Sequence, residues 1–298
     1  MCAAVFPCAL RPLAPAKFSA RRLTAAPRLS LCPRLQHGGC WKSSTVHRRS
    51  KSPTAAMLTE NGVLLQDVFS AALTSGIAVS LLFFWGETAK KQIFEQKTTR
   101  KLVHISVGLV FMLCWPLFSH GHLAPFLAAL APGINIIRML LLGVGIWKNE
   151  AIIKSMSRHG DRSELLKGPL YYACTITFST LIFWRTSPIS IAAICNLCAG
   201  DGVADLVGRR FGEKKLPYNP DKSYAGTAAM AVAGFLASLG YMHYFASFGY
   251  IEESWGMILG FLLVSTASAI VESLPMSSDL DDNLTVPMTS LLVGAAVF

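Results

Sequence analysis

Acidic residues are absent from the first 59 positions of this 298-residue chain, although the same stretch holds ten lysines and arginines. The whole chain carries a net charge of +10, but beyond residue 59 it has 17 basic and 17 acidic residues. The excess positive charge therefore belongs to the amino-terminal stretch and not to a folded surface. Because a nucleic-acid-binding domain needs a basic face of its own, the sequence predicts no nucleic-acid partner.

The amino-terminal stretch also lacks an apolar run of the length found in secretory signal peptides. It is rich in Ala, Pro, Arg, Ser and Thr, a composition typical of organelle transit peptides. Prolines interrupt the start, MCAAVFPCALRPLAP, and disfavour the amphipathic helix of a mitochondrial signal. We expect residues 1–57 to be a chloroplast transit peptide and residues 58–298 to be the mature domain. A disordered basic cytosolic tail is the alternative.

Charge is scarce in the chain as a whole, at 15% of residues against 52% apolar residues. Disulfide and zinc frameworks are absent too, because four of the eight cysteines lie in the leader and the rest lie in apolar segments. Cys195 and Cys198 form a lone pair without a second pair of ligands, so we expect them to be buried small side chains.

Apolar stretches long enough to approach or cross a bilayer recur along the body of the chain. We expect an all-α integral membrane protein, a polytopic bundle of seven to eight transmembrane helices. The last stretch has only 15 residues, which leaves the count open. The stretches are residues 63–85, 102–118, 123–147, 168–184, 187–208, 225–248, 255–274 and 284–298.

The loops between these stretches alternate in charge. Loops one (Glu87–Lys101), three (Lys148–Lys167) and five (Arg209–Lys222) each hold five lysines or arginines, whereas loops two and six hold none. The basic loops predict one inward face, the stroma for a chloroplast protein. Loop seven carries acids instead, namely Asp279, Asp281 and Asp282. If all eight stretches cross the membrane, the odd-numbered loops share one side, so loop seven lies on the same face as loop five.

Two carboxylates interrupt the fifth apolar stretch. Asp201 and Asp205 are four residues apart and would share one face of a helix, with Asp201 about 10 Å below the basic loop. Unpaired carboxylates at that depth cost about 2.5–3.5 kcal/mol each. A divalent cation removes this cost, and oxygen ligands suit Mg²⁺. We therefore predict that Asp201 and Asp205 hold Mg²⁺, or that one of them accepts a proton from a hydroxyl.

Loop five supplies five cations beside these acids: Arg209, Arg210, Lys214, Lys215 and Lys222. Mg²⁺ together with lysines and arginines is what stabilises a transferring phosphoryl group, so we expect these residues to bind nucleotide phosphates. Neither G-x-x-x-x-G-K-[ST] nor a kinase-type G-x-G-x-x-G occurs, which excludes a Walker-type NTPase and a protein-kinase fold. Inward-facing topology alone is the other explanation of the basic loop.

Residues 198–226, CAGDGVADLVGRRFGEKKLPYNPDKSYAG, resemble the signature of the polyprenol kinase family, in the branch of plant phytol and farnesol kinases. Supporting segments are RKLVHISVGLVFMLCWPLF (100–118), SMSRHGDRSELLKGPLYY (155–172) and VESLPMSSDLDDNLTVP (271–287). The resemblance implies transfer of a γ-phosphoryl group, with CTP the usual donor, to phytol, farnesol or geranylgeraniol. It also implies a chloroplast membrane and a role in isoprenoid salvage and tocopherol synthesis.

Further residues could complete such a site. Because loops five and seven are expected on the same face, Asp281 and Asp282 could join the metal shell and Asn283 could bind a polar group. Arg138 lies within an apolar segment that Pro132 and Gly133 could break; it could pair with Asp201 or Glu272, or extend to a nearer surface. His104 could face the nucleotide, and Glu272 could support the ligands.

Two other functions fit part of this pattern. A membrane cytidylyltransferase that makes a CDP-lipid would use the same nucleotide and metal but would release pyrophosphate. An ion-coupled transporter would use Asp201 and Asp205 as a cation site, although no internal repeat is visible. No obligate protein partner is predicted.

Overall fold

A computed structural model describes residues 53–157, 161–275 and 280–298. These residues form an all-α bundle with one short hairpin. The helices are α1 (Pro53–Lys90), α2 (Gln96–Leu113), α3 (Ala124–Ala128), α4 (Leu130–Val144), α5 (Glu150–Met156), α6 (Gly168–Ile182), α7 (Pro188–Cys195), α8 (Asp201–Phe211), α9 (Tyr224–Ser247), α10 (Trp255–Ser273) and α11 (Asp282–Val297). Single 3₁₀ turns lie at Trp115–Leu117, Arg162–Leu166 and Trp184–Thr186, and the strands are β1 (Lys215–Leu216) and β2 (Asn219–Ser223).

The predicted leader, residues 1–57, lies outside the described residues except for its last five, which begin α1. Asp279 also lies outside them.

Among the described residues, five helical segments are long and apolar enough to cross a bilayer. They are Asn61–Lys90, Gln96–Leu117, Pro188–Phe211, Tyr224–Ser247 and Trp255–Ser273. Large apolar side chains on their outer faces are exposed, including Phe69, Phe83 and Leu236. Since a lipid-facing surface is apolar, the prediction of an all-α membrane bundle is confirmed.

The other three predicted segments are helical but shorter. Residues 123–147 divide at Ala129 into α3 and α4, and α6 and α11 have 15 and 16 residues. Pro132 and Gly133 could have broken this segment, but α4 begins at Leu130 and runs through both residues. Pro132 therefore lies in the first turn, where a missing N–H breaks no helical hydrogen bond. The count of seven to eight spanning helices stays a prediction.

The centre of the bundle is a single buried segment, α7, a π-helical turn (Asn196–Gly200) and α8. In the π turn the Asp201 amide donates to the carbonyl of Asn196, five residues earlier. α9, α11 and the beginning of α2 pack around this segment, and Ile194, Leu197 and Cys198 are fully buried there. Cys195 and Cys198 are free and buried, as predicted. A π turn shifts the face that the following helix presents, which here begins with Asp201.

Arg185 fastens the end of the bundle where α2 finishes. Its guanidinium is buried and donates to the carbonyls of Trp115 and Phe118 at 2.8 and 2.7 Å, and it also bonds to the carbonyl of Ser119. Its charge lies 4.1 Å from the centre of the Tyr250 ring. The three carbonyls belong to the turn and the chain that follow α2, so these bonds hold that segment against the loop before α7.

The β1–β2 hairpin folds back from α8 onto the end of α10. Asn219 is buried and its side-chain amide donates to the carbonyls of Ser273 and Leu274, at 3.0 and 3.3 Å. The Tyr218 hydroxyl lies 3.0 Å from the Ser273 hydroxyl. Ser223 then caps α9 by accepting from the amide of Gly226. The hairpin thereby fixes Lys222 near α10 and α11.

Candidate functional site

Three carboxylates from three helices meet at one end of the bundle. Asp201, Glu272 and Asp282 each place an oxygen within 4.8 Å of the others, and we refer to them as the carboxylate cluster. Asp201 is the first residue of α8, Glu272 lies near the end of α10, and Asp282 begins α11. Asp201 and Glu272 are buried, at 2% and 4% exposure. Such crowding of acids is unfavourable unless cations neutralise them.

Close packing of α8 against α2 sets the position of Asp201. A methyl group on Gly202 would lie 2.2 Å from a side-chain carbon of Ile105, so only glycine allows this approach. Gly108, one helical turn further along α2, similarly makes room for the Cys198 sulfur and the Tyr172 hydroxyl. The polar side chains of α2 consequently reach Asp201.

Lys101 and His104 are those polar side chains. Lys101 donates from Nζ to Asp201 Oδ2 at 2.8 Å, and the ammonium group is largely buried. His104 Nε2 lies 2.8 Å from the carbonyl of Leu197 and 3.5 Å from Asp201 Oδ2. Tyr172 fixes the same turn by donating to the backbone carbonyl of His104. The structure places His104 against Asp201, and a contact of His104 with the nucleotide stays a prediction.

Lys222 joins the other two acids. Its ammonium group donates to Asp282 Oδ2 at 3.0 Å and also to Glu272 Oε1. Burial alone would lower the pKa of Lys222, but the carboxylates of Asp282 and Glu272 outweigh burial and hold that pKa above its ordinary value. The Lys222–Asp282 contact confirms that loops five and seven lie at the same end of the molecule.

Asp282 and its neighbours form the beginning of α11. Burial raises the pKa of the Asp282 carboxyl, and the charge of Asp201 raises it further, against the opposing effect of Lys222. Asp281 does not join the carboxylate cluster, because its side chain caps α11 by accepting from the backbone and side-chain amides of Asn283 at 3.0 and 2.7 Å. Asn283 therefore supports the helix start next to the cluster.

Asp205, predicted as the second metal ligand, faces a different environment. Its carboxylate forms an ion pair with Arg209, and both side chains are about one-third exposed. It is not part of the carboxylate cluster, where Glu272 stands in its place. The physical reason is that α10 and α11 pack against each other and against the π turn just before Asp201, which brings acids from other helices to Asp201. Spacing along one helix does not determine such contacts.

The remaining loop-five cations lie on the surface. Arg210 is exposed, with its guanidinium 5.7 Å from the centre of the Phe211 ring. Lys214 and Lys215 are exposed at the start of the hairpin. Their predicted role in binding phosphates stays a prediction.

Arg138 does not pair with Asp201 or Glu272. Within the described part of the chain it has no acidic partner, and its Nε atom is buried without a hydrogen bond. Its helix, α4, packs on α6 and on the 3₁₀ turn Arg162–Leu166, away from the carboxylate cluster.

The carboxylate cluster has the chemistry of a divalent cation site. All three donors are carboxylates, which Mg²⁺ prefers, and the second oxygen of Asp282, Oδ1, is buried without a hydrogen-bond partner in the described residues. Asp201, Glu272 and Asp282 would hold the ion. Lys101 contacts Asp201 but was not among the residues that the sequence pattern singled out, and its three-residue spacing from His104 at the start of α2 was the available signal.

Comparison with known proteins adds a consistent set of relatives. The chain is 68% identical over 251 residues to "Probable phytol kinase 2, chloroplastic" of Oryza sativa subsp. japonica, covering 84% of this chain and 83% of that one. It is 63% identical over 250 residues to "Farnesol kinase, chloroplastic" of Arabidopsis thaliana, covering 84% and 81%. It is 40% identical over 257 residues to "Phytol kinase 1, chloroplastic" of the same plant, covering 86% and 84%.

Two further comparisons found nothing: no profile of a known protein family matches the chain. No solved structure matches it either.

Proposed function

This chain belongs to the family of chloroplastic phytol and farnesol kinases, and we propose that it phosphorylates a prenyl alcohol within a chloroplast membrane. The observation that carries this proposal is the carboxylate cluster, flanked by Lys101 and Lys222, at the membrane-edge end of spanning helices. A lipid alcohol and a water-borne nucleotide can meet only at such an edge. The kinase names of the relatives and the apolar helices support the same conclusion.

The proposed reaction transfers the γ-phosphoryl group of a nucleoside triphosphate to the alcohol. A bond forms between the alcohol oxygen and the γ-phosphorus as the bond to the β,γ-bridging oxygen breaks, and nucleoside diphosphate leaves. The hydroxyl proton passes to a carboxylate of the site, for which Asp201 and Asp205 are the candidates. When bound, Mg²⁺ would neutralise charge on the transferring group.

The residues of the site divide into groups with different proposed tasks. Asp201, Glu272 and Asp282 would hold Mg²⁺, and Lys222 would bind nucleotide phosphates from the hairpin. Asn219 positions Lys222 through its bonds to the end of α10. Arg209, Arg210, Lys214 and Lys215 would attract the nucleotide from solvent.

CTP as donor, phytol, farnesol or geranylgeraniol as acceptor, and a role in tocopherol synthesis complete the proposal. Their support is the resemblance of residues 198–226 to prenol kinases and the printed names of the relatives. The basic loops one, three and five and the basic leader support a nucleotide site on the stromal face.

The test is an activity assay on membranes that contain the full chain. They receive Mg²⁺ with CTP, ATP or UTP, and phytol, farnesol or geranylgeraniol. We expect prenyl monophosphate and nucleoside diphosphate in equal amounts. The Asp201→Asn variant should lose about a hundredfold or more of the rate, because the site loses a charge that acts in the transition state. Asp221→Asn, an exposed acid on the same hairpin as Lys222, is the matched control and should retain wild-type activity.

Other outcomes identify the alternatives. Release of pyrophosphate with formation of a CDP-lipid, when a lipid monophosphate replaces the alcohol, would show a cytidylyltransferase, and cation flux into liposomes without nucleotide turnover would show a transporter. If Asp201→Asn turned over substrate at the wild-type rate, the carboxylate cluster would have no role in the reaction.

A further inference from the structure

Lys101 is a buried cation that the site, as proposed so far, does not use. It lies on the second turn of α2, and its side chain has 12% exposure. Its Nζ atom contacts Asp201 Oδ2 at 2.8 Å. Lys222 contacts Glu272 and Asp282 from the hairpin. Two lysines from separate elements thus neutralise three carboxylates that would themselves suit a divalent cation.

The charges of this site change when the acids bind a metal ion. A divalent cation cancels two of the three carboxylate charges, so two ammonium groups would then face one remaining negative charge. A buried ammonium group with too little negative charge around it is strongly unfavourable. The second and third phosphates of a nucleotide supply the missing charge, and a lysine is a suitable point-charge partner for them.

We propose that Lys101 is a phosphate-binding residue that holds Asp201 while the carboxylate cluster is without metal, and contacts the nucleotide phosphates once the cluster holds Mg²⁺. This inference rests on the proposed function and names the polyphosphate chain as the ligand of Lys101. α2 and the hairpin would then bind the phosphates from two sides, through Lys101 and Lys222. Lysine suits the exchange because its four-carbon stem is flexible and its three donors rotate freely.

A simpler role for Lys101 is that of a structural counter-ion of Asp201. The two roles differ in what happens at saturating Mg²⁺. A counter-ion becomes dispensable once the metal neutralises Asp201, so its loss would then leave nucleotide binding unchanged. A phosphate ligand is needed most in that state.

The experiment uses the full chain in detergent and compares Lys101→Met with Lys97→Met. Lys97 is the matched control, an exposed lysine one turn earlier on the same helix. Mn²⁺ binding without nucleotide is titrated by electron paramagnetic resonance. Binding of CTP and of inorganic tripolyphosphate is measured at saturating Mg²⁺ by equilibrium dialysis. Lys101→Met should bind Mn²⁺ at least as tightly as wild type, because a competing cation is gone. It should bind CTP and tripolyphosphate about ten- to a hundredfold more weakly, the value of a charge-assisted hydrogen bond.

Lys101→Arg distinguishes the effect of losing the positive charge from the effect of destabilising the fold. It keeps a cation at this place and should recover most of the CTP affinity, with an unfolding temperature close to that of wild type. CTP affinity of Lys101→Met within twofold of Lys97→Met would overturn the inference. Equal loss of affinity and of thermal stability in the Met and Arg variants would also overturn it. If Lys101→Met bound CTP more weakly as expected but the wild-type chain formed no prenyl phosphate, the proposed function would be refuted instead.

Discussion

At the scale of single residues, the chemistry of this protein depends on how buried acids are neutralised. Asp201 is buried in the bundle, a place where an unpaired carboxylate is strongly disfavoured. Lys101 on α2 neutralises its charge, and Lys222 stabilises Glu272 and Asp282. Such ion pairs contribute little to the net stability of the fold, so their main effect is to hold the carboxylates and the lysines next to one another.

Removal of one acid of the carboxylate cluster should weaken metal binding. Glu272→Gln deletes one of three charged oxygen ligands, and we expect Mn²⁺ affinity to fall about ten- to a hundredfold. Asp205→Asn should leave it unchanged, because Asp205 pairs with Arg209 outside the cluster. Electron paramagnetic resonance titration measures both. A larger loss for Asp205→Asn than for Glu272→Gln would return Asp205 to the metal shell.

At the scale of elements, the β1–β2 hairpin is the device that brings loop five to the site. It has one pair of short strands, so its own hydrogen bonds cannot hold it in place. Anchoring comes from Asn219 and Tyr218, which contact the end of α10. α10 in turn carries Glu272 directly before this anchor. The hairpin and this carboxylate of the cluster are consequently positioned by the same turn of helix.

Asn219→Ala should detach the hairpin and displace Lys222. Two carbonyls of α10 lose their donor and Asp221 loses the acceptor of its amide, so we expect the free energy of unfolding to fall by about 1–3 kcal/mol. The nucleotide KM should rise because Lys222 is no longer fixed. Thermal unfolding and steady-state kinetics measure the two effects. Glu213→Gln, an exposed substitution just before the hairpin, is the control. An unchanged KM in Asn219→Ala would show that the hairpin does not position Lys222.

At the scale of the whole molecule, the bundle has two chemically different ends. One holds the carboxylate cluster, the hairpin and the start of α2, where basic loops one and five meet. The other holds Arg185 with the carbonyls of Trp115, Phe118 and Ser119. The alternation of basic and non-basic loops along the chain predicted that the two ends differ. It also predicts that the basic end faces the stroma.

Labelling with a membrane-impermeant maleimide tests this orientation. Single cysteines at Lys97 and Lys214, both exposed at the basic end, should react from the same side of intact chloroplast membranes. A cysteine at Glu252, in loop six, should react only from the opposite side. The background lacks the four native cysteines of the body. Reaction of the Lys97 and Lys214 positions from different sides would contradict the arrangement of loops one and five.

The amino-acid sequence was sufficient to predict the class of fold and to single out Asp201 of the candidate site. Long apolar segments leave a helix as the way to satisfy backbone hydrogen bonds in lipid, so the helical segments follow from composition. The depth of Asp201 beside a basic loop was likewise enough to predict a functional role for it, because an acid there needs a partner.

The groups that surround Asp201 follow from the tertiary packing instead. Spacing along one helix suggested Asp205, yet α8 packs against α2, and α10 and α11 pack against the preceding π turn, so that Lys101, Glu272 and Asp282 surround Asp201. That packing depends on contacts between distant residues, such as Gly202 against Ile105 and Asn219 against Ser273. Contacts across helices depend on shape in three dimensions, which no local pattern in the chain records.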